Sequence, residues 1–242
     1  MFSRQEIRVM NRIEYIRQEE KKYHESCYNN YTLFEEGSWL HKPVKTVMDA
    51  LALLAEKDSL TILDLGCGVG RNSIPIAEKV KNSNGKVICV DLLETALQKL
   101  KQYSQAYHVE DTIYLHQADL SDFVMKKDEY DYIVAVSSLE HVRTEETFIQ
   151  VLQSMEAATK SKGVNCLIVN SNVEEIDIET RRKKDALIEI NLPTDEMVNI
   201  LQKVYKNWKT IHLAVKPLAY HIMRGQTSIQ LKTNAITLVV QK

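Results

Sequence analysis

Residues 61–77 read TILDLGCGVGRNSIPIA. Three glycines, Gly66, Gly68 and Gly70, alternate between a short apolar run and the first turn of an amphipathic pattern. Without a Cβ, glycine takes positive φ and lets backbone N–H groups meet a ligand at close range, beside a helix N-terminus that favours negative charge. Strand, glycine loop and helix in this order open a doubly wound sheet, whose ligands lie beyond the carboxyl ends of the strands.

Downstream the same alternation continues. Residues 86–91 (KVICVD), 112–119 (TIYLHQAD), 130–138 (YDYIVAVSS) and 164–171 (VNCLIVNS) are short, β-branched and apolar on both faces. Amphipathic helical patterns separate them at 71–80, 93–107 and 145–159. Such runs indicate βαβ units and a mostly parallel sheet with helices on both faces, a Rossmann-like doubly wound α/β fold. Residues 193–208 read as one more helix, with an acidic first turn behind Pro193. Residues 209–220 and 235–242 read as strands joined by a loop over 221–234; so short a link makes them antiparallel neighbours. Residues 174–193, with the charge run 181–184, read as a solvated excursion between sheet elements.

Upstream, Val9, Ile13 and Ile16 recur at helical spacing among charged residues over 7–26. An irregular segment, 27–43, then concentrates Tyr28, Tyr31, Phe34 and Trp39, and a helix resumes over 44–56. The 242 residues suit one domain, 1–242, with 1–43 as N-terminal helix and lid and 44–242 as the core.

Composition narrows the partners. A formal net charge of −2 offers no basic surplus for a phosphate backbone or an anionic membrane, so no nucleic acid and no membrane is expected. The four cysteines lack CxxC spacing and the histidines show no paired ligand pattern; buried reduced thiols and no metal follow. The charged N-terminus carries no apolar h-region, which points to the cytoplasm, for a monomer or a homodimer.

The run Asp64-Leu65-Gly66-Cys67-Gly68-Val69-Gly70 resembles motif I of the class I S-adenosylmethionine-dependent methyltransferases. Asp91 ends the second strand where that family carries an acid for the ribose hydroxyls, and Asp119 follows the third where it has a residue near the adenine amino group. Ser137 to His141 follow the fourth, near donor and acceptor. The resemblance covers about 61–170 and implies S-adenosylmethionine as cofactor, with S-adenosylhomocysteine as product. It carries donor-binding roles to Asp64, Gly66, Cys67, Gly68, Gly70, Arg71 and Asn72 at the loop, and to Asp91, Leu92, Asp119, Leu120 and Ser137 after the next strands. Taken from the residues alone, Asp91 reads equally as a helix cap and Asp119 equally as a turn residue.

The Gly-Arg-Asn-Ser that follows the glycines is similar to the tellurite-resistance branch of the family, as is a His-bearing loop near the C-terminus. His221 matches that loop's histidine; Ile222 stands where the branch has arginine, and Arg224 comes two residues later. The implied function is methyl transfer to a small-molecule acceptor, a thiol or a tellurium or selenium oxyanion among the candidates. His141 is the candidate base because its ordinary pKa lies near working pH, with a solvated histidine in a helix turn as the alternative. His221 and Arg224 are candidates for orienting an anionic acceptor. Tyr28, Tyr31 and Trp39 could close over the pocket as a lid, or simply dock the N-terminal helix. Two other functions compete: a nicotinamide-dependent oxidoreductase, which wants a third glycine where Arg71 stands, and a non-catalytic S-adenosylmethionine-binding module.

Overall fold

A computed structural model describes the backbone of residues 4–242 and the side chains of 12–242. The side chain of the expected face position Val9 and the first three residues of the charged N-terminal stretch lie outside what is described. The glycine loop joins β1 (Thr61–Leu65) to α3 (Ser73–Val80), and β2 (Lys86–Asp91), α4 (Glu94–Ala106), β3 (Ile113–Gln117) and β4 (Tyr130–Val136) follow. Then come α5 (Glu145–Ala158), β5 (Thr159–Asp177), the two-residue β6 (Lys183–Lys184), α6 (Thr194–Val204), β7 (Lys209–Arg224) and β8 (Thr227–Gln241). Ahead of the sheet stand α1 (Arg4–Asn30) and α2 (Lys45–Ala52).

The strand order is β3-β2-β1-β4-β5-β8-β7, with β6 on the far end of β5. Strands β1 to β5 pair in parallel, and β8 runs antiparallel to both β5 and β7. Alternation along each central strand feeds two cores. Ile62 of β1 and Val134 of β4 pack with Leu51, Ile74 and Leu100 on one face; Leu63 and Ile133 pack with Phe148, Leu152 and Leu201 on the other. Burial on both faces is what the near-continuous apolar strands require. All four cysteines are free and buried. Among the described residues no helix is long and apolar enough to cross a membrane.

Three expectations need correction. The first helix runs to Asn30, so Tyr28 sits on its last turn rather than on an irregular segment. The expected C-terminal loop is strand: β7 and β8 form a continuous ladder down to Arg224↔Thr227, turning at Gly225 with φ +61°. Neither end carries the Gly/Pro punctuation of a long loop, and pairing with β8 outweighs the polarity of 221–234. The excursion after 174 is partly sheet as well. Strand β5 bulges near Asn172 (φ +49°), continues to Asp177 against β8, and receives β6 back at Glu175 and Ile176. Beyond β6 the chain buries Ile188 and Ile190.

Candidate functional site

The carboxyl ends of β1 to β4 form one edge, and the glycine loop is folded against it by its own backbone. Gly66 and Cys67 N–H both donate to the Val90 carbonyl (2.8 and 3.1 Å), and Gly68 N–H donates to Asp91 Oδ2 at 2.8 Å. Gly66, Gly68 and Gly70 hold φ of +75°, +54° and +94°. A Cβ on Gly66 would overlap Ser138, which donates its hydroxyl to the Leu65 carbonyl (2.7 Å); one on Gly70 would overlap Leu100. Gly68 is buried under α1, with the Tyr28 hydroxyl 3.0 Å from a would-be Cβ. Cys67 turns its thiol into the core and leaves only its backbone to the loop.

Two carboxyls flank the loop. Asp64, 2% exposed, accepts from the Ser73 hydroxyl at 2.6 Å, and burial pushes it up to about 7 against that hydrogen bond. Asp91 also accepts from Leu93 N–H (2.9 Å), and burial likewise raises it. Leu92 beside it is exposed, while Leu120 packs on the second core. At Asp119 burial opposes ionisation, but hydrogen bonds from Ser121 and from Arg17 (2.7 Å) outweigh it and hold the carboxyl below the ordinary range.

Arg71, Asn72 and Ser73 each take a different partner. Arg71 donates to the Lys42 carbonyl (2.6 Å) with its guanidinium 5.7 Å from the Trp39 ring centroid; Asn72 accepts from Val44 N–H (3.0 Å); Ser73 holds Asp64. In this structure Arg71 and Asn72 therefore fasten the segment after α1 to the glycine loop. Tyr28 is buried over Gly68, Trp39 is half-exposed beside it, and Tyr31 is exposed against Gly37. Only Tyr28 and Trp39 of the three lid candidates meet the loop.

After β4, Ser137 takes φ +50° and accepts from Asn170 (3.1 Å). Glu140 is fully buried; one oxygen accepts from Asn170 N–H and side-chain amide (3.0 and 2.6 Å), the other has no partner, and burial raises its pKa. His141 Nδ1 lies 2.9 Å from Glu189. Burial alone would lower the imidazole, but that bond and the charges of Glu20 and Glu140 raise it to about 9. Glu189 thus favours the protonated form of His141, the expected base. His221 and Arg224 do not converge. Three positions apart on β7 they point to opposite faces; His221 is exposed, whereas Arg224 is gripped by Glu20 and Glu175, both at 2.9 Å.

Sequence reasoning missed the polar stripe of α1. Arg17, Glu20, His24 and Tyr28 follow one another at i, i+3 or i+4, hence on one face, and that face lies along the carboxyl edge. Arg17 reaches Asp119 and the His141 carbonyl (3.2 Å), Glu20 reaches Arg224, and Tyr28 reaches the glycine loop. His24 is the neutral imidazole of the set. Burial lowers its pKa, and its Nδ1 is buried without a hydrogen bond. The spacing was readable, but charged residues on a helix are ordinarily read as its solvent face.

The edge thus brings together a glycine loop with three positive φ angles, an acid at the end of β2 bonded to that loop, and a buried carboxyl beneath it. Residues 62–163 match the family model described as a methyltransferase domain. TehB from Haemophilus influenzae is similar in structure, with a TM-score of 0.58 and 18% identity over 81% of this chain and 62% of that one. A SAM-dependent methyltransferase from Methanosarcina mazei gives a TM-score of 0.59 and 15% identity over 83% of this chain and 98% of that one. In sequence, the tRNA N(3)-methylcytidine methyltransferase trm140 of Schizosaccharomyces pombe is 33% identical over 84 residues, 34% of this chain. The chain spans 27% of that relative's length.

Proposed function

We propose that this chain, whose residues 62–163 match a methyltransferase domain, is a class I S-adenosylmethionine-dependent methyltransferase that methylates a small-molecule acceptor. The observation that carries the reading is the roof. Helix α1 lies across the carboxyl ends of β1 to β4 and touches the glycine loop, Asp119 and the segment after β4, so the acceptor enters a covered space. In this reading residues 1–43 and 44–242 act as one unit, because α1 completes the site. The family match replaces the nicotinamide alternative.

Bound S-adenosylmethionine supplies a methyl group already activated on a sulfonium. The chain's tasks are alignment and exclusion of water, which in the best intramolecular models contribute on the order of 7–11 kcal/mol. Gly66 to Gly70 and Asp64 would hold the amino-acid end, Asp91 the ribose hydroxyls, and Asp119 with Leu120 the adenine. His141, paired with Glu189, is favoured in its protonated form and would orient a group rather than accept a proton.

The purified chain would be titrated with S-adenosylhomocysteine by calorimetry, then incubated with methyl-labelled donor and a panel of thiols, amines, hydroxyl compounds, selenite, tellurite and bulk tRNA. Binding that is lost in Asp91→Ala, with label entering a small molecule, is the expected result. Label entering tRNA alone would replace the small-molecule reading, in line with the named activity of the trm140 relative.

A further inference from the structure

Beside the roofed edge, the structure holds a cavity of ≈ 590 Å³ walled by α1, by Arg143 after β4 and by the excursion that carries β6. Its apolar lining comes from Ile13, Ile16, Val173, Ile188 and Leu192. Glu189 also lines it, and its carboxylate holds His141 (2.9 Å) and Arg17 (3.5 Å). The cavity therefore adjoins the residues that follow β4, where the notional acceptor side of the edge lies.

Its charges do not balance internally. Lys183 is bound to Glu174 (2.5 Å) and Lys184 faces Asp177 (3.4 Å), while Glu189 is matched by His141 and Arg17. Among the described residues Arg12 donates to a neutral carbonyl alone, that of Ala186 at 3.1 Å, and Arg143 has no ion pair. Against these two guanidiniums the lining offers one further carboxylate, Asp185.

We propose that this cavity is the acceptor site, and that it takes a small organic molecule with a carboxylate or phosphate on an apolar body, the anion meeting Arg12 and Arg143. The proposal rests on the methyltransferase reading for the word acceptor; the binding itself does not. Volume argues for an organic molecule, since sites of about 300–1,000 Å³ suit drug-sized ligands and a bare oxyanion would leave most of this one to water. Charge argues against RNA: two unmatched guanidiniums fall well short of the roughly 6–10 phosphate contacts of nucleic-acid binders. Arginine is suited to either anion, because its planar fork pairs with carboxylate and phosphate alike.

The test is calorimetry on the full chain with four probes: hexanoate, hexyl phosphate, hexylamine and inorganic phosphate. Hexanoate or hexyl phosphate should bind, the tighter of the two naming the anion, and both should bind more tightly than inorganic phosphate. Arg12→Met and Arg143→Met, which keep the aliphatic bulk, should each weaken that binding about tenfold. Hexylamine binding as well as the anions, no probe binding at all, or unchanged affinity in both variants would overturn the proposal. Displacement of the probes by bulk tRNA with the same arginine dependence would overturn it in favour of nucleic acid. S-adenosylhomocysteine is titrated in parallel. Its failure to bind while hexanoate binds would sink the methyltransferase reading and leave the anion site standing; the reverse would sink the anion site alone.

Discussion

Replacing Asp64 by Asn should remove a specific part of the protein's pH dependence. The carboxyl is 2% exposed, and its one close hydrogen bond, from Ser73, does not offset burial, which raises it from 3.8 to about 7. The folded state thus holds a proton that the unfolded chain has already released. Stability from this group is fully present below 3.8, falls as pH rises towards 7, and stays lost above it. At about 1.4 kcal/mol per unit, the ceiling on the loss at pH 8 is about 4 kcal/mol, of which about 2.7 accrues between pH 5 and pH 7. Asn has no proton to lose. Its amide must instead find a partner in the same place, at a cost of about 1–3 kcal/mol if it fails, but that cost is independent of pH.

The informative quantity is therefore a difference of differences. Urea unfolding of both proteins at pH 5, 6, 7 and 8 gives two stability curves, and the gap between them should shift by about 2–3 kcal/mol in favour of Asp64→Asn from pH 5 to pH 7. Titrations of the other groups are common to both proteins and cancel. Parallel curves would refute the reasoning, showing that Asp64 is ionised throughout in a solvated or paired environment. A gap that moves the other way would mean that an unseen partner holds the carboxylate. The same penalty bears on function, because a cationic ligand group placed against Asp64 would relieve it. Binding of S-adenosylhomocysteine at pH 6 should then release protons, seen as a buffer-dependent heat, and Asp64→Asn should abolish that release.

Two further predictions concern the edge. In a histidine-selective NMR titration, His24 should titrate below the ordinary 6.5 and His141 near 9, and Glu189→Gln should bring His141 down; a His141 that already titrates at 6.5 in the parent would refute the ion-pair reading. Gly66→Ala should fail to fold or lose more than about 3 kcal/mol, since its Cβ overlaps Ser138 at φ +75°, whereas Gly68→Ala should fold at a cost of about 1–2 kcal/mol and bind S-adenosylhomocysteine weakly. Circular dichroism and calorimetry on both separate the two roles, and equal behaviour of the two variants would contradict the looser packing around Gly68.

The parallel half of the sheet was legible because burial on both faces imposes a simple pattern: five apolar runs, each followed by punctuation or a helix. The loop's glycines were legible for a related reason, as no other residue takes those φ values without strain. The hairpin of β7 and β8 was not. Residues 221–234 alternate polar and apolar weakly, and β7 is an edge strand exposed along most of its length, so little core burial marks it. That miss carried a chemical one, since a loop would let His221 and Arg224 converge and a strand separates them. Arg71 and Asn72 show the reverse problem. Their place in the motif suggested the ligand, but what they bind, the Lys42 carbonyl and Val44 N–H, belongs to a segment whose path only the structure gives.

Helix α1 docks by two kinds of physics along its length. Its C-terminal end is apolar, with Cys27 and Tyr28 in the first core and the following segment fastened by Arg71 and Asn72. Further up, the contacts on the edge are ionic: Arg17 with Asp119 and Glu189, Glu20 with Arg224. Partly buried ion pairs of this kind seldom stabilise more than apolar side chains of the same volume would, because both partners give up water. A helix selected only to stay docked would carry Leu or Met at 17 and 20. Charges there instead make contacts that a ligand can replace in kind. Asp119 shows why this matters: one oxygen accepts from Arg17 and the other from Ser121, so a ligand donor arriving at the first oxygen would share it with the arginine or displace it. Arg17 released from Asp119 still has Glu189, at the wall of the adjoining cavity, and the guanidinium can move from one carboxylate to the other without being left unpaired.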